Sequence, residues 1–270
     1  MHSQEFEEPT YLEIDNASTS PDTRETNWNT AIGLNAIDGL NPSEHLLKLK
    51  DMSIKGEKTY NEIHKDLSKY YAKKDLSEKE VKENFECDFV STRIAELLED
   101  QTFVFSPIYL LEIHSKLFTG IFTSKYKSYI GKFRDYNITK NEKPVIYGNY
   151  RNLLDYLKYY FENEKSTDYL ILSKEQQIEK ISSFTSSIWR IHPFHEGNII
   201  TVAVFIIKYL NAYGWNINDV AFQNNSKYFR DALILSNFFE RKNNTKSNNK
   251  YLLIFFKKLL FNENINLSYR

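Results

Sequence analysis

Cysteine and glycine are both scarce in this sequence. One cysteine, Cys87, occurs in 270 residues, which excludes an internal disulfide and any zinc site built from several cysteines. Only 8 glycines are present, and neither GxGxxG nor GxxxxGK followed by Ser or Thr occurs. The two common glycine-rich phosphate loops are therefore excluded.

A basic surplus and long apolar runs are also missing. The formal net charge of −1 argues against a general nucleic-acid binder, because phosphate binding needs an excess of basic residues. No apolar run approaches the roughly 20 residues of a membrane span. The start MHSQEFEEPTYLEID lacks the basic-then-apolar order of a signal peptide. We therefore expect a cytoplasmic protein with no nucleic-acid or membrane partner.

What the sequence does have is apolar residues at helical spacing. Hydrophobic residues make up 41% of the chain and aromatic residues 15%, enough for a sizeable core. Residues 1–27 are acidic with few apolar anchors and predict a disordered acidic tail. Residues 28–79 predict a small module of short helices, in which Thr59 and Glu62 form a capping-box signal. Residues 80–262 are the predicted main domain.

The main domain contains clear helix boundaries and one irregular segment. Ser106 followed by Pro107 predicts a helix start, and Gly214 predicts the end of a later apolar helix. The segment FRDYNITKNEKPVIYGNYRN has short β-type pieces broken by Asn, Pro and Gly, which predicts a β-hairpin near 138–150. The predicted fold class is mainly α with one small β-hairpin.

The loop HPFHEGNII, at 192–200, lies between two predicted helices and raises a chemical question. A turn needs only the Gly-Asn pair, so the two histidines and Glu196 are surplus to turning. They could simply be surface or capping residues. They could also offer three zinc ligands, although the proline between the histidines places the stretch outside a regular helix.

A third interpretation of the loop is an anion site. A loop that ends directly before a helix points free backbone N–H groups outward, with the positive end of the helix dipole behind them. Glu196 beside such a site can hold Mg²⁺ against phosphate oxygens, and a neutral His192 can accept a proton from an attacking hydroxyl. This combination favours a phosphoryl- or nucleotidyl-transfer site.

HPFHEGN resembles the core of the Fic family motif, HxFx(D/E)GNGRxxR. Other segments are similar to the Fic core and follow in the same order: STRIAELLED, SPIYLLEIHSKLFTGIF, IGKFRDYNITK, KPVIYGNY and AVFIIKYLNAYGW. The resemblance implies a Fic-type helical core with a β-hairpin flap. It also implies a bacterial adenylyltransferase, cytoplasmic or secreted as an effector, that moves AMP from ATP, with Mg²⁺, to a hydroxyl of a target protein. Another Fic protein or a second copy of this chain is a further expected partner.

The resemblance also implies roles for individual residues. His192 would be the catalytic base, Glu196 would ligate Mg²⁺, and Phe194 would pack inward. His195 falls at a variable motif position and receives no role. The nucleotide would be contacted by Gly197, Asn198, Ile199, Ile200 and Thr201. The flap would align the target segment by strand addition through Pro144, Val145, Ile146 and Tyr147.

The sequence departs from the motif at its phosphate-binding end. Ile199 and Ile200 stand where the family has a small residue and then Arg, and Ala203 stands in place of the second Arg. Each lost Arg–phosphate contact removes about 1.5–3 kcal/mol. We therefore expect weakened AMP transfer. One alternative is a catalytically impaired Fic homologue that acts as a regulatory, antitoxin-like binding protein. A third hypothesis, drawn from the altered phosphate-binding end, is kinase or phosphocholine transfer on the same scaffold.

Many Fic proteins are restrained by a helix with the pattern (S/T)xxxE(G/N), whose Glu pairs with the first motif Arg. Residues 28–79 resemble such an antitoxin-like module, and its LNAIDG stretch is a partial match that offers Asp38. TRIAEL is a second partial match and offers Glu96. Both residues are candidates for an inhibitory acid, as in a toxin–antitoxin pair.

Overall fold

The computed structural model describes residues 19–73, 84–121, 127–138, 145–218, 220–238 and 247–268. Over these ranges the chain is mainly helical, as predicted. Within them, no helix combines the length and hydropathy needed to cross a membrane. The α-helices of the described part are α1 (Pro21–Asn35), α2 (Glu44–Ile54), α3 (Tyr60–Ala72), α4 (Glu86–Glu99), α5 (Pro107–Phe118), α6 (Leu153–Lys165), α7 (Lys174–Ile191), α8 (Asn198–Ala212), α9 (Val220–Ser236) and α10 (Lys250–Phe261).

Helix α1 begins earlier than the sequence predicts. It starts at Pro21, so the prediction of a disordered tail over 1–27 is wrong from that residue onward, while residues 1–18 lie outside the described part. Ser20 caps the helix by accepting a hydrogen bond from the Thr23 N–H at 3.2 Å. A proline in the first turn suits a helix start, because its missing N–H would have no partner there.

The N-terminal helices share one core with the later ones, because α1 packs between α4 and α9. Trp28 of α1 is fully buried, and its Nε1–H donates to Ser53 Oγ of α2 at 3.1 Å. A Cβ added to Gly33 would lie 2.5 Å from the carbonyl oxygen of Gln223, so α1 and α9 approach through their backbones. The predicted domain boundary falls within 74–83, outside the described residues.

Asp88 on α4 holds α2 and α3 in place. Its buried carboxylate accepts hydrogen bonds from the Ser43 N–H at 2.9 Å, the Ser43 hydroxyl at 2.5 Å and the Tyr71 hydroxyl at 2.6 Å. Burial raises the pKa of Asp88, and the hydrogen bonds offset part of that effect by favouring the ionised form. One satisfied carboxylate therefore ties the start of α2 and the end of α3 to α4.

Helix α8 lies at the centre of the fold. Its sequence is mostly apolar, and nearly all of its residues are buried because α4, α5 and α7 pack around it. Ile200 in its first turn is 4% exposed, and Ala203 is fully buried. This central position makes α8 a firm support for the loop that precedes it.

The predicted β-hairpin is not supported by the described residues. Val145 makes an isolated antiparallel bridge with Phe238, and the residues that follow it form no strand. Residues 139–144, which include the flap proline, lie outside the described part. The Gly148 N–H donates instead to the carbonyl oxygen of Arg190 at 3.2 Å. Phe238 and Arg190, both distant in sequence, therefore hold this segment.

Candidate active site

The loop 192–197 joins α7 to α8, and both of its ends are left-handed. His192 ends α7 with a φ of 53°, and Gly197 precedes α8 with a φ of 73°. A Cβ at Gly197 would lie 2.5 Å from Cζ of the Phe118 ring, so the position requires glycine for its conformation and for its space. The two left-handed residues turn the chain sharply back into α8.

Asn198 closes the loop on itself. Its Oδ1 accepts a hydrogen bond from the Phe194 N–H, and its Nδ2 donates to the Phe194 carbonyl, both at 2.9 Å. Phe194 is fully buried, and its ring stacks on that of His114 with the centroids 4.0 Å apart. The Asn198 side chain thus builds the loop. The groups left to meet an anion are the backbone N–H groups in the first turn of α8.

Arg134 is a buried side chain that ties the start of the loop to the flap segment. Its Nε donates to the carbonyl oxygen of His192 at 2.7 Å. Its Nη2 donates to the carbonyl oxygen of Ile191 at 3.0 Å and to that of Gly148, and its backbone N–H donates to Pro193 O at 2.9 Å. Burial lowers the pKa of Arg134, and the carbonyl oxygens satisfy its donors. Arg134 therefore sets the backbone position of the predicted base.

His114 on α5 also supports the loop. Its Nε2 is 3.2 Å from the carbonyl oxygen of Glu196, and the Gly131 N–H donates to its Nδ1 at 3.1 Å. These partners require the neutral ring with its proton on Nε2. Burial lowers the pKa of His114 to about 4, against a smaller opposite effect of the Glu196 hydrogen bond.

Mild acid is expected to destabilise the protein through His114. Its folded pKa of about 4 lies below the ordinary 6.5, so the unfolded chain binds the extra proton first. The contribution of His114 to stability is complete above about pH 6.5 and is lost as the pH falls towards 4. Between about pH 6.5 and 5 the expected loss is about 2 kcal/mol.

Denaturant unfolding at a series of pH values measures this loss. The variant His114→Gln should lack this part of the pH dependence. The control His45→Gln, at a half-buried histidine of α2, should retain it. If His114→Gln showed the same pH dependence as the wild type, another group would be responsible.

A cavity of about 170 Å³ lies beside the loop. Predicted site residues in its lining are His192, Glu196, Gly197, Asn198, Ile199, Ile200, Tyr147 and Asp38; the other lining residues are Trp189, Arg230 and Ile234. The structure thus brings together the predicted base, the predicted metal ligand, most of the predicted nucleotide contacts and one of the two inhibitory candidates.

The predicted base and the predicted metal ligand differ in exposure. The His192 ring lies against Tyr147, with the centroids 4.1 Å apart, and only 7% of the residue is exposed. Glu196 is exposed. Among the described residues, no group of three or more His, Cys, Asp or Glu is placed to hold a metal ion. Mg²⁺ needs only one or two carboxylates beside substrate phosphates, so Glu196 fits it.

Other predicted residues do not line the cavity. Thr201 is fully buried, and its hydroxyl donates to the carbonyl oxygen of Gly197 at 2.8 Å, which secures the first turn of α8. Glu96 on α4 is 3.3 Å from Nε2 of His64 on α3. The remaining flap residues are also apart from the cavity or undescribed: Val145 in the bridge, Ile146 exposed, and Pro144 outside the described part.

Sequence reasoning missed several residues of the site. Arg134 lies in IGKFRDYNITK, a stretch that resembles the Fic core. No sequence pattern indicates, however, that its side chain donates to backbone carbonyl oxygens of the loop. Arg230 and Trp189 lie on helices whose apolar spacing predicts packing and nothing about a cavity. Only the packing of the helices places Arg230 and Trp189 beside the loop.

The arrangement is that of a helical fold with a tight loop and a cavity at the start of its central helix. Residues 104–210 match the Fic/DOC family, and this stretch contains the whole loop. The resemblance predicted from the sequence is therefore confirmed over these residues.

Solved structures are similar to the chain as well. The N-terminal FIC domain of Bep8, a VirB-translocated Bartonella effector protein from Bartonella sp. 1-1C, is 20% identical, with 68% of this chain and 87% of that chain covered and a TM-score of 0.53. BepC from Bartonella tribocorum, solved with bound AMPPNP, is 18% identical, with 57% and 74% covered and a TM-score of 0.46. No curated protein matches the chain. The likeness to Bep8 shows the Fic fold.

Proposed function

We propose that the protein transfers AMP from ATP to a hydroxyl group of a target protein. The observation that carries this proposal is the shared cavity, which His192, Glu196 and the start of α8 all line. A base, a carboxylate suited to Mg²⁺ and free backbone N–H groups are what nucleotidyl transfer to a hydroxyl needs. The Fic/DOC match over the same loop supports this reaction class.

Each part of the loop has a role in the proposed reaction. The target hydroxyl oxygen bonds to the α-phosphorus, the bond to pyrophosphate breaks, and His192 takes the hydroxyl proton. The first turn of α8 has no side-chain cap among the described residues, so its N–H groups can stabilise negative charge on the α-phosphate. A bound Mg²⁺ ion supplies charge neutralisation, and Glu196 would hold it. Tyr147 and Trp189 orient the His192 ring.

Incubation with ATP labelled at either phosphate tests the proposal. The protein, alone and with a cell lysate, is expected to transfer label from the α-phosphate and none from the γ-phosphate, and mass analysis should find an added AMP. Transfer of the γ-label would indicate phosphoryl transfer instead. A failure to transfer from any nucleoside diphosphate or triphosphate would contradict AMP transfer.

A second candidate function is regulation by binding without transfer. It is favoured by the apolar phosphate-binding end of the motif, where Ile200 is nearly buried and Ala203 is fully buried. The partner would be another Fic protein or a second copy of this chain. Under this alternative, the labelling experiment gives no transfer while the folded protein still binds such a partner.

We further propose that Asp38, and not Glu96, restrains the site. Asp38 lines the cavity, where a carboxylate repels the phosphates of a nucleotide. The cavity of about 170 Å³ is smaller than the roughly 300–1,000 Å³ of ordinary ligand pockets. The segment that carries Asp38 would therefore shift when a whole nucleotide enters.

Asp38→Ala is expected to raise both ATP affinity and the rate of transfer by about fivefold. This factor corresponds to about 1 kcal/mol for one like-charge contact in a solvated site. Calorimetry with ATP and the labelling assay measure the two effects. Glu96→Ala is the matched control and should change neither. Equal effects of the two substitutions would contradict the assignment of Asp38.

A further inference from the structure

Arg230 is the one arginine or lysine among the described residues that line the cavity. It comes from α9, outside the loop motif, and it shares the lining with Ile200, where the motif has lost a cation. Asp38 and Glu196 bring two carboxylates to the same lining. A phosphate group that enters the cavity therefore meets two negative groups and one permanently positive side chain.

The guanidinium of Arg230 is held in a fixed orientation. Its Nε donates to Oδ1 of Asp231 at 2.9 Å, and its Nη1 donates to the carbonyl oxygen of Ile37 at 2.7 Å. Among the described residues, no hydrogen bond engages Nη2, and 32% of the side chain is exposed. The two N–H groups of Nη2 can therefore donate to a ligand in the cavity.

We propose that Arg230 binds the β- or γ-phosphate of the nucleotide in place of the arginines that the motif lacks. This proposal rests on the proposed function. The motif position at Ala203 is fully buried and does not line the cavity, so a cationic contact has to come from another element. A guanidinium that is already oriented loses little side-chain entropy on binding, and its hydrogen bonds to phosphate are charge-assisted.

Binding of a series of nucleotides distinguishes two roles for Arg230. It could contact a phosphate, or it could only stabilise the structure through its hydrogen bond to Ile37. In calorimetry with Mg²⁺ present, Arg230→Met is expected to weaken binding of ATP by about 10- to 100-fold and binding of AMP by less than about twofold. Binding of ADP should weaken as much as that of ATP if the contact is to the β-phosphate, and as little as that of AMP if the contact is to the γ-phosphate. A purely structural role would affect all three nucleotides equally. Arg230→Lys keeps the charge without the planar fork. Its affinity for ATP should therefore lie between the affinities of the wild type and Arg230→Met.

Two further variants complete the test. Asp231→Asn removes the charge beside Nε and keeps the guanidinium, so the preference for ATP over AMP should persist. The double variant Ile200→Arg, Arg230→Met returns a cation to the same cavity. Its preference for ATP over AMP should be at least about tenfold greater than that of Arg230→Met. Denaturant unfolding checks that each variant is folded.

The outcomes also separate the two proposals. If Arg230→Met and Arg230→Lys keep the wild-type preference for ATP over AMP, the role of Arg230 is overturned and the proposed function stands. If the wild type and Asp38→Ala bind no nucleotide, the proposed function fails and the role of Arg230 fails with it.

Discussion

Replacing His192 by alanine is expected to lower the rate of AMP transfer by about 100- to 10,000-fold, the range for a positioned general base. The ring is 7% exposed and lies against Tyr147, and Arg134 holds its backbone carbonyl at 2.7 Å. The imidazole is therefore oriented before any substrate arrives. Because the base acts on the hydroxyl and not on the nucleotide, ATP affinity should change by less than about threefold.

Single-turnover transfer of α-labelled AMP measures the rate, and calorimetry with ATP measures the affinity. His195→Ala is the matched control from the same loop. The His195 ring stacks on Tyr129 at 4.5 Å between centroids, and this residue does not line the cavity. Its removal should change the rate by no more than a few-fold. Loss of ATP binding in His192→Ala, or equal losses of rate in both variants, would count against the proposed base.

Replacing Gly197 by alanine is expected to lower the free energy of unfolding by about 2–5 kcal/mol. About 1–2 kcal/mol comes from a φ of 73°, which an L side chain rarely adopts. A further 1–3 kcal/mol, roughly, comes from overpacking, since the new Cβ would lie 2.5 Å from Cζ of the Phe118 ring. Phe118 is 1% exposed, so its ring has little room to move.

Gly214→Ala separates these two contributions. Gly214 has a similar φ of 79°, and a Cβ there would meet nothing within 4 Å. Denaturant unfolding of both variants should therefore show a larger loss for Gly197→Ala, by roughly the overpacking energy. If the two losses were equal, the ring of Phe118 would be giving way at no cost, and the tight fit of the loop would be refuted.

Helix boundaries were predictable wherever local hydrogen bonds define them. Ser106 caps α5 by accepting a hydrogen bond from the Tyr109 N–H at 3.1 Å, and the capping box at Thr59 starts α3 as predicted. The start of α1 at Pro21 carried the same kind of signal, but the acidic composition around it favoured a disordered tail. The helix start was missed because the acidic composition was given more weight than the Ser20 capping signal.

The candidate site was predictable only in part. The loop motif identified His192 and Glu196, because their spacing belongs to one short segment, and both line the cavity. The described residues do not support the predicted hairpin, because Val145 pairs with Phe238 and the residues that follow it form no strand. Propensity indicates an extended backbone but does not say which distant segment will accept its hydrogen bonds.

The sequence by itself determined the mainly helical class, the glycine-dependent turn at Gly197 and the set of polar residue types in the loop, since each depends on residues a few positions apart. Only the tertiary structure decided that Asp38 and Arg230 line the same cavity and that Ala203 is closed inside the core. Those outcomes depend on how α1, α8 and α9 pack together. Helical periodicity marks which face of each helix is buried, but it does not specify which helix covers it.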